Sequence, residues 1–326
     1  MISLKNVLNL AKKKNKVIVF PEASFSDRII KVASYFNEKK IANVILIGDE
    51  SALVLRYKNL KGMTIINPKT SDIYSDLVAV LLEKRKHKGL TEEEAKTLAL
   101  DPIYFGALLV ETGVADCMVA GAETSSSKVI KAALQVVGLK KDAKIASSFM
   151  LVQGKNKVMP KGEMLVLADI ALNINPTQQQ IEEIALQTAN SAQNLFNMSP
   201  KVALLSYSTN GSASGECAEK MQNAAKELQK IDGLVVDGEM QLDCALIPEV
   251  SKLKFPSNKI DGKANVLIFP DLQSGNITYK AIERFGGLKA VGPILQGLNK
   301  SINDLSRGAT INDIIFTTAL TILMTE

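Results

Sequence analysis

A hydroxyl, a guanidinium and a carboxylate lie close together near the C-terminus, in Asp304-Leu-Ser-Arg-Gly308 and the residues that follow it to Asp313. Ser306 and Arg307 precede Gly308, and Asp313 opens the apolar segment 314–324. A loop carrying a donor and a positive charge thus leads into a helix carrying a base. Acyl transfer uses this equipment: a hydrogen-bond donor and a cation for a developing oxyanion, and a carboxylate to take a proton. The same spacing also has an ordinary reading. Thr310 and Asp313 have the S/T-x-x-D/E pattern of a helix capping box, and Ser306 and Arg307 suit a turn. Spacing alone favours the cap, so the rest of the chain must decide.

The 326 residues exceed the size at which a single core stops growing, which predicts two domains. Hydrophobic residues make up 46% and charged residues 22%, the balance of a soluble globular protein. The net charge of +5 comes from lysines scattered along the chain, and there is no Trp among the few aromatics. A nucleic-acid surface gathers its basic residues and interleaves them with aromatics, so a small anionic ligand fits better and no nucleic-acid partner is expected. The run Lys12-Lys-Lys14 with Lys16 reads as a solvated helix face.

Cys117, Cys217 and Cys244 are odd in number and widely spaced, which suggests neither a disulfide framework nor a zinc site. The single histidine, His87, makes a Ser-His-Asp relay improbable. The first fourteen residues lack the continuous apolar core of a signal peptide. The segment 314–324 is about half of what a bilayer span requires and contains threonines. A cytoplasmic protein with no membrane partner is the expectation.

These residues need elements to position them. Short Val/Ile/Leu-rich runs at 17–20, 43–47, 117–120, 202–206 and 266–269 read as buried strands. Helical spacing fills 27–40, 72–86 and 178–197; Thr91-Glu-Glu-Glu94 reads as a helix start, and Pro176 stands where a helix could begin. The alternation predicts an α/β protein with mainly parallel sheets. The expected domains are 1–145 with a returning C-terminal helix from about 300 to 326, and 146–299.

Two glycine turns follow strands and precede helices, at 207–215 and 271–276, a form that presents backbone N–H groups to an anion. Neither carries the P-loop or the dinucleotide fingerprint, which argues against ATP hydrolysis and nicotinamide binding. Each also has a purely structural reading as a strand-to-helix connection. Lys280 and Arg284, four apart with Tyr279 beside them, project from one helix face and suit a phosphate-rich ligand or solvent. Thr124-Ser-Ser-Ser127, with Ser125 at its centre, offers hydroxyls at another helix start, as ligand donors or as an N-cap cluster.

Taken in order, Tyr104-Phe-Gly-Ala-Leu-Leu-Val110, Ala115-Asp-Cys-Met-Val-Ala-Gly-Ala122, Asp237-Gly-Glu-Met-Gln-Leu-Asp243, Gly262-Lys-Ala-Asn-Val-Leu-Ile-Phe-Pro-Asp-Leu272 and Gly275-Asn-Ile-Thr-Tyr-Lys280 resemble the phosphate acetyl/butyryl transferases, in particular the phosphate acetyltransferases. The resemblance runs from about Val17 to the C-terminus. It implies reversible acetyl transfer between coenzyme A and phosphate, with coenzyme A a substrate rather than a cofactor and no metal required. It also implies two α/β/α domains around a cleft, akin to the isocitrate and isopropylmalate dehydrogenases, and a homodimer. By the family's D-L-S-R-G segment, Ser306 and Arg307 belong to the active site, and Asp313 is the base. The family's R-K-H-K-G motif brings in Arg85, and its Y-K motif with a following basic residue brings in Tyr279, Lys280 and Arg284, all near the ligand. In one segment the chain departs from the family: Val129-Ile-Lys-Ala-Ala-Leu-Gln135 has Lys131 where arginine is common, keeping the charge but losing the bidentate fork.

Three other readings have their own discriminators. A phosphate butyryltransferase would differ in acyl-chain preference. A non-catalytic acyl-phosphate or coenzyme A sensor would bind without turnover. A dehydrogenase on the related fold is opposed by the missing dinucleotide fingerprint and by the lack of an evident carboxylate cluster for a metal.

Overall fold

The computed structural model describes residues 4–154 and 163–326. Residues 1–3, from the N-terminal stretch read above for a signal peptide, and 155–162, assigned above to the second domain, lie outside the described residues. The chain divides into two compact units, one of Ser3–Asp142 with Leu298–Glu326, the other of Ala143–Gly297.

The first unit opens with α1 (Leu4–Lys14), β1 (Val17–Phe20), α2 (Asp27–Glu38), β2 (Asn43–Ile47), α3 (Glu50–Arg56) and β3 (Thr64–Ile66). It continues through α4 (Tyr74–Arg85), α5 (Glu92–Ala99), α6 (Pro102–Glu111), β4 (Cys117–Ala120) and α7 (Ser126–Val136). Local chemistry sets the boundaries. Thr91 and Glu94 form a reciprocal capping box on α5. Asp101 accepts from the first turn of α6, where Pro102 loses no hydrogen bond. α6 is buried on every side from Ile103 to Val110, so its apolar residues show no single face and the helix lies inside the unit.

The second unit contains β5 (Ser147–Gln153), β6 (Met164–Ala168), α8 (Gln178–Phe196), β7 (Lys201–Leu205), α9 (Glu216–Leu228) and β8 (Val235–Met240). α10 (Leu242–Leu246), α11 (Pro248–Lys254), β9 (Val266–Ile268), α12 (Leu272–Arg284) and β10 (Lys289–Gln296) complete it. Its sheet has the order β10-β5-β6-β9-β7-β8. The strands from β6 to β8 run parallel, while β5 and β10 are antiparallel to their neighbours. Around Met150, Val152, Leu167, Leu267 and Met240 lies one of its apolar cores. Thr177 caps α8 in a second capping box, so that helix starts just past Pro176 rather than at it.

The chain then returns to the first unit with β11 (Ser301–Asp304) and α13 (Ile311–Leu323). β11 pairs parallel to β4, giving the order β11-β4-β1-β2-β3, every pair parallel. Parallel strands buried on both faces require continuous apolar runs, as Val17–Phe20 and Cys117–Ala120 supply. α13 packs on α1, α2 and the sheet, and buries everything from Ile314 to Ile322. Thr321 is satisfied inside, its Oγ1 donating to the Thr317 carbonyl over 2.7 Å and accepting from Asn303 Nδ2 over 2.8 Å, whereas the Thr318 hydroxyl is buried with no hydrogen-bond partner among the described residues. Among the described residues no helix is long and apolar enough to cross a membrane.

Candidate active site

In the first unit the polar groups gather beyond the carboxyl ends of β1, β4 and β11, where open α/β sheets bind ligands. The loop leaving β1 begins Pro21-Glu22, and Glu22 is fully buried. Its carboxylate accepts from four successive backbone N–H groups, those of Gly121 (2.9 Å), Ala122 (2.8 Å), Glu123 (3.0 Å) and Thr124 (2.7 Å). The concave turn after β4 is thus filled by the protein's own carboxylate. What that turn leaves outward is hydroxyls: Ser125 is exposed, stands at the N-cap of α7 without a capping bond, and lies 3.2 Å from Ser127 Oγ.

Arg28, on the first turn of α2, ties this loop to the one after β11. Nη1 donates to the carbonyls of Arg307 (3.0 Å) and Ala309 (2.8 Å), and Nη2 to the carbonyl of Ala122 and to Glu123 Oε1 (2.9 Å). The same contact holds the Glu123 carboxyl below the usual carboxylate range. One planar fork therefore sets the N-terminal ends of α7 and α13 against each other. Both are positive dipole ends, and both favour an anion.

Ser306 and Arg307 are exposed on the turn so braced. The Ser306 carbonyl accepts from Ala309 N–H over 2.8 Å, and its hydroxyl lies 3.4 Å from Gly308 N, so the ordinary turn role is present as well. Gly308 does not have the positive φ that would require glycine, and a Cβ there would meet only Ser306 Oγ at 3.9 Å. The backbone at this point is bare for no reason internal to the fold.

Asp313 is half-buried in the first turn of α13. Its Oδ2 accepts from Thr310 N (3.0 Å) and from Thr310 Oγ1 (2.6 Å), while Asp313 N–H donates to Thr310 Oγ1 (3.3 Å). The capping box read from spacing exists, and it uses one of the two carboxylate oxygens.

Arg85 ends α4, and its charge acts on the Tyr104 phenol, whose hydroxyl donates to Gln135 Oε1 on α7 over 2.6 Å. Burial raises that phenol against the opposing effect of Arg85. Lys131 is exposed on α7. The other three predicted residues belong to the second unit, all on α12. Lys280 Nζ lies 4.9 Å from the Tyr279 ring centre, a cation over an aromatic face. Arg284 is largely exposed, with Glu283 Oε2 3.9 Å from its Nε.

The glycine turns of the second unit also have internal acceptors. Glu239 Oε1 accepts from Ser208 Oγ and Gly211 N–H, each over 2.8 Å, and Asp271 Oδ1 caps α12 by accepting from Ser274 N–H over 2.8 Å. These contacts support the structural reading of both turns.

Sequence reasoning missed Glu22 and Arg28. Their signal was present, an acid directly after a buried strand and an arginine in the first turn of the next helix, but nothing in spacing pairs them with residues almost a hundred or more positions away.

The chain thus consists of two α/β units on mainly parallel sheets, the first carrying Ser306 and Arg307 on a braced turn and Asp313 in the helix that follows. The chain belongs to the phosphate acetyl/butyryl transferase family: the family model described as "Phosphate acetyl/butaryl transferase" matches residues 2–322. A phosphate acetyltransferase of Thermoanaerobacterium thermosaccharolyticum is 39% identical over 331 residues, covering 100% of each chain. Another, of Helicobacter pylori, is 41% identical over 321 residues, which are 97% of this chain; the chain spans 60% of that relative's length. Among solved structures, a phosphotransacetylase from Streptococcus pyogenes superposes with a TM-score of 0.91 at 36% identity, over 99% of this chain and 98% of that one. The resemblance drawn from the sequence motifs holds over the whole chain.

Proposed function

We propose that this protein transfers an acetyl group reversibly between acetyl phosphate and coenzyme A, by direct attack of the coenzyme A thiolate. The observation that carries the mechanism is the braced turn, which sets Ser306, Arg307 and Asp313 at the meeting of two helix N-termini. The thiol, with a pKa near the ~8.5 of cysteine, must lose its proton to attack. Asp313 takes that proton, with its Oδ2 already oriented by Thr310. The thiolate sulfur bonds to the carbonyl carbon, the bond from that carbon to the phosphate oxygen breaks, and phosphate leaves with the electron pair. Arg307 offsets the phosphate charge and Ser306 donates to the developing oxyanion.

Direct attack is supported over an acyl-cysteine route by the thiols themselves. Burial pushes Cys117, Cys217 and Cys244 all upward, away from the thiolate form that a nucleophile needs. Arg85, Ser125, Lys131, Tyr279, Lys280 and Arg284 are assigned to binding the anionic substrates. A cytoplasmic homodimer completes the reading.

The test is to incubate the protein with acetyl phosphate and coenzyme A and to follow thioester absorbance. Turnover is expected; binding without turnover would make the protein a sensor. Running butyryl and propionyl phosphates beside it distinguishes the acetyl from the butyryl enzyme, and light scattering checks the dimer.

A further inference from the structure

Asp304 is the last residue of β11, directly before Leu305 and the Ser306–Arg307 turn, and it is 1% exposed. Its backbone is locked: Asp304 is in register with Ala120, and Leu305 N–H donates to the Ala120 carbonyl over 2.8 Å. Among the described residues no donor reaches Asp304 Oδ1. An unpartnered buried carboxyl oxygen is costly, and the structure makes room for it. Gly121 sits at φ +103°, and a Cβ there would lie 2.3 Å from that oxygen.

The charges around it come from several elements. The Glu22 carboxylate, from the loop after β1, opposes ionisation of Asp304, while the Arg307 guanidinium and the Ser126 hydroxyl on α7 favour it. On the other packed elements, Arg28 of α2 pairs with Glu123, Lys128 of α7 pairs with Asp101, and Asp313 of α13 accepts from Thr310. Desolvation outweighs the favourable contacts and pushes the carboxyl up to about 7. Asp304 is thus an acid close to its balance point, within the field of Arg307 three residues further along the chain.

We propose that Asp304 is a positioning residue for Arg307, taking up a proton on Oδ1 when a dianion binds at the turn. The inference rests on the reading that the Ser306–Arg307 turn receives the phosphate-bearing substrate. An arriving dianion draws on the charge of Arg307 and adds negative charge nearby. Both effects disfavour the Asp304 carboxylate, which takes one proton from solvent. Neutral Asp304 then leaves the guanidinium wholly to the anion, and release of the anion returns the proton.

Sulfate is the probe, because it is a dianion that does not titrate near neutrality. Calorimetry of sulfate binding in buffers of different ionisation enthalpy reads the protons taken up. In the wild-type protein, uptake is expected near pH 7, with affinity falling about three- to tenfold from pH 6 to pH 8. Asp304→Asn is expected to abolish uptake and to flatten that dependence to less than about twofold, and to do the same to the KM for acetyl phosphate while kcat keeps the thiol's own pH profile. Should that variant fail to fold, Ser126→Ala serves, since it removes a bond to the ionised form and moves the uptake maximum to higher pH. Unchanged uptake in Asp304→Asn, or an unmoved maximum in Ser126→Ala, overturns the proposal. Sulfate binding that Arg307→Gln does not weaken overturns instead the reading on which it rests.

Discussion

The Thr310 hydroxyl donates to Asp313 Oδ2 over 2.6 Å, and the same oxygen accepts from Thr310 N–H over 3.0 Å. The cap and the proposed base are therefore one residue. The box orients the carboxylate through Oδ2, so the two readings of this spacing describe the same group.

Asp313→Asn separates them. An amide oxygen still caps the helix, so the thermal midpoint should move by the equivalent of about 1 kcal/mol or less. Turnover should fall about a hundredfold or more, because the general base is gone. Steady-state kinetics with acetyl phosphate and coenzyme A check this, and wild-type turnover would eliminate Asp313 as the base.

Arg28→Lys asks whether the brace needs its fork. A single ammonium cannot span the carbonyls of Arg307, Ala309 and Ala122 together with Glu123. Activity is expected to fall about tenfold or more, since small displacements of reacting groups cost that much. Retained activity with unaltered substrate affinity would show that the two loops hold their places without it.

Stability carries the mark of Asp304. Its carboxyl sits at about 7 in the folded chain against 3.8 ordinarily, so between those values the folded state holds a proton that the unfolded state has released. Stability contributed at this site is full below about pH 4, falls as pH rises, and is level again above about 7. At about 1.4 kcal/mol per pH unit the loss is roughly 4 kcal/mol. The melting midpoint of Asp304→Asn relative to wild type should therefore climb between pH 4.5 and 7.5. A constant gap across that range would contradict the account.

Gly308→Ala tests what the bare backbone is for. With no positive φ and no close neighbour, the change should leave stability level or raise it by about 0.5 kcal/mol. If the turn admits phosphate against its backbone, the methyl should raise the KM for acetyl phosphate severalfold. An unaltered KM would place the anion elsewhere.

Much of this protein is local and could be read in order. Val17–Phe20 and Cys117–Ala120 are buried strands because their residues are apolar without a break, and Thr91, Thr177 and Thr310 start helices because their hydroxyls and the acidic or amide groups three residues on satisfy each other's neighbours. The segment carrying Ser306, Arg307 and Asp313 was legible for the same reason, since its turn and its cap are built from adjacent residues. β5 and β10 were not. Ser147–Gln153 opens with two serines, both buried, and is made a strand by antiparallel partners distant in sequence. Nor could spacing reveal that Glu22 fills the turn at Gly121–Thr124, that Arg28 clamps loops 94 and more residues away, or that Asp304 Oδ1 is buried with no donor among the described residues. Local hydrogen bonding and apolar runs act between near neighbours, and the sequence by itself determined what they determine. Desolvation and charge pairing depend on which distant segments the sheet order brings together, and only the tertiary structure decided those.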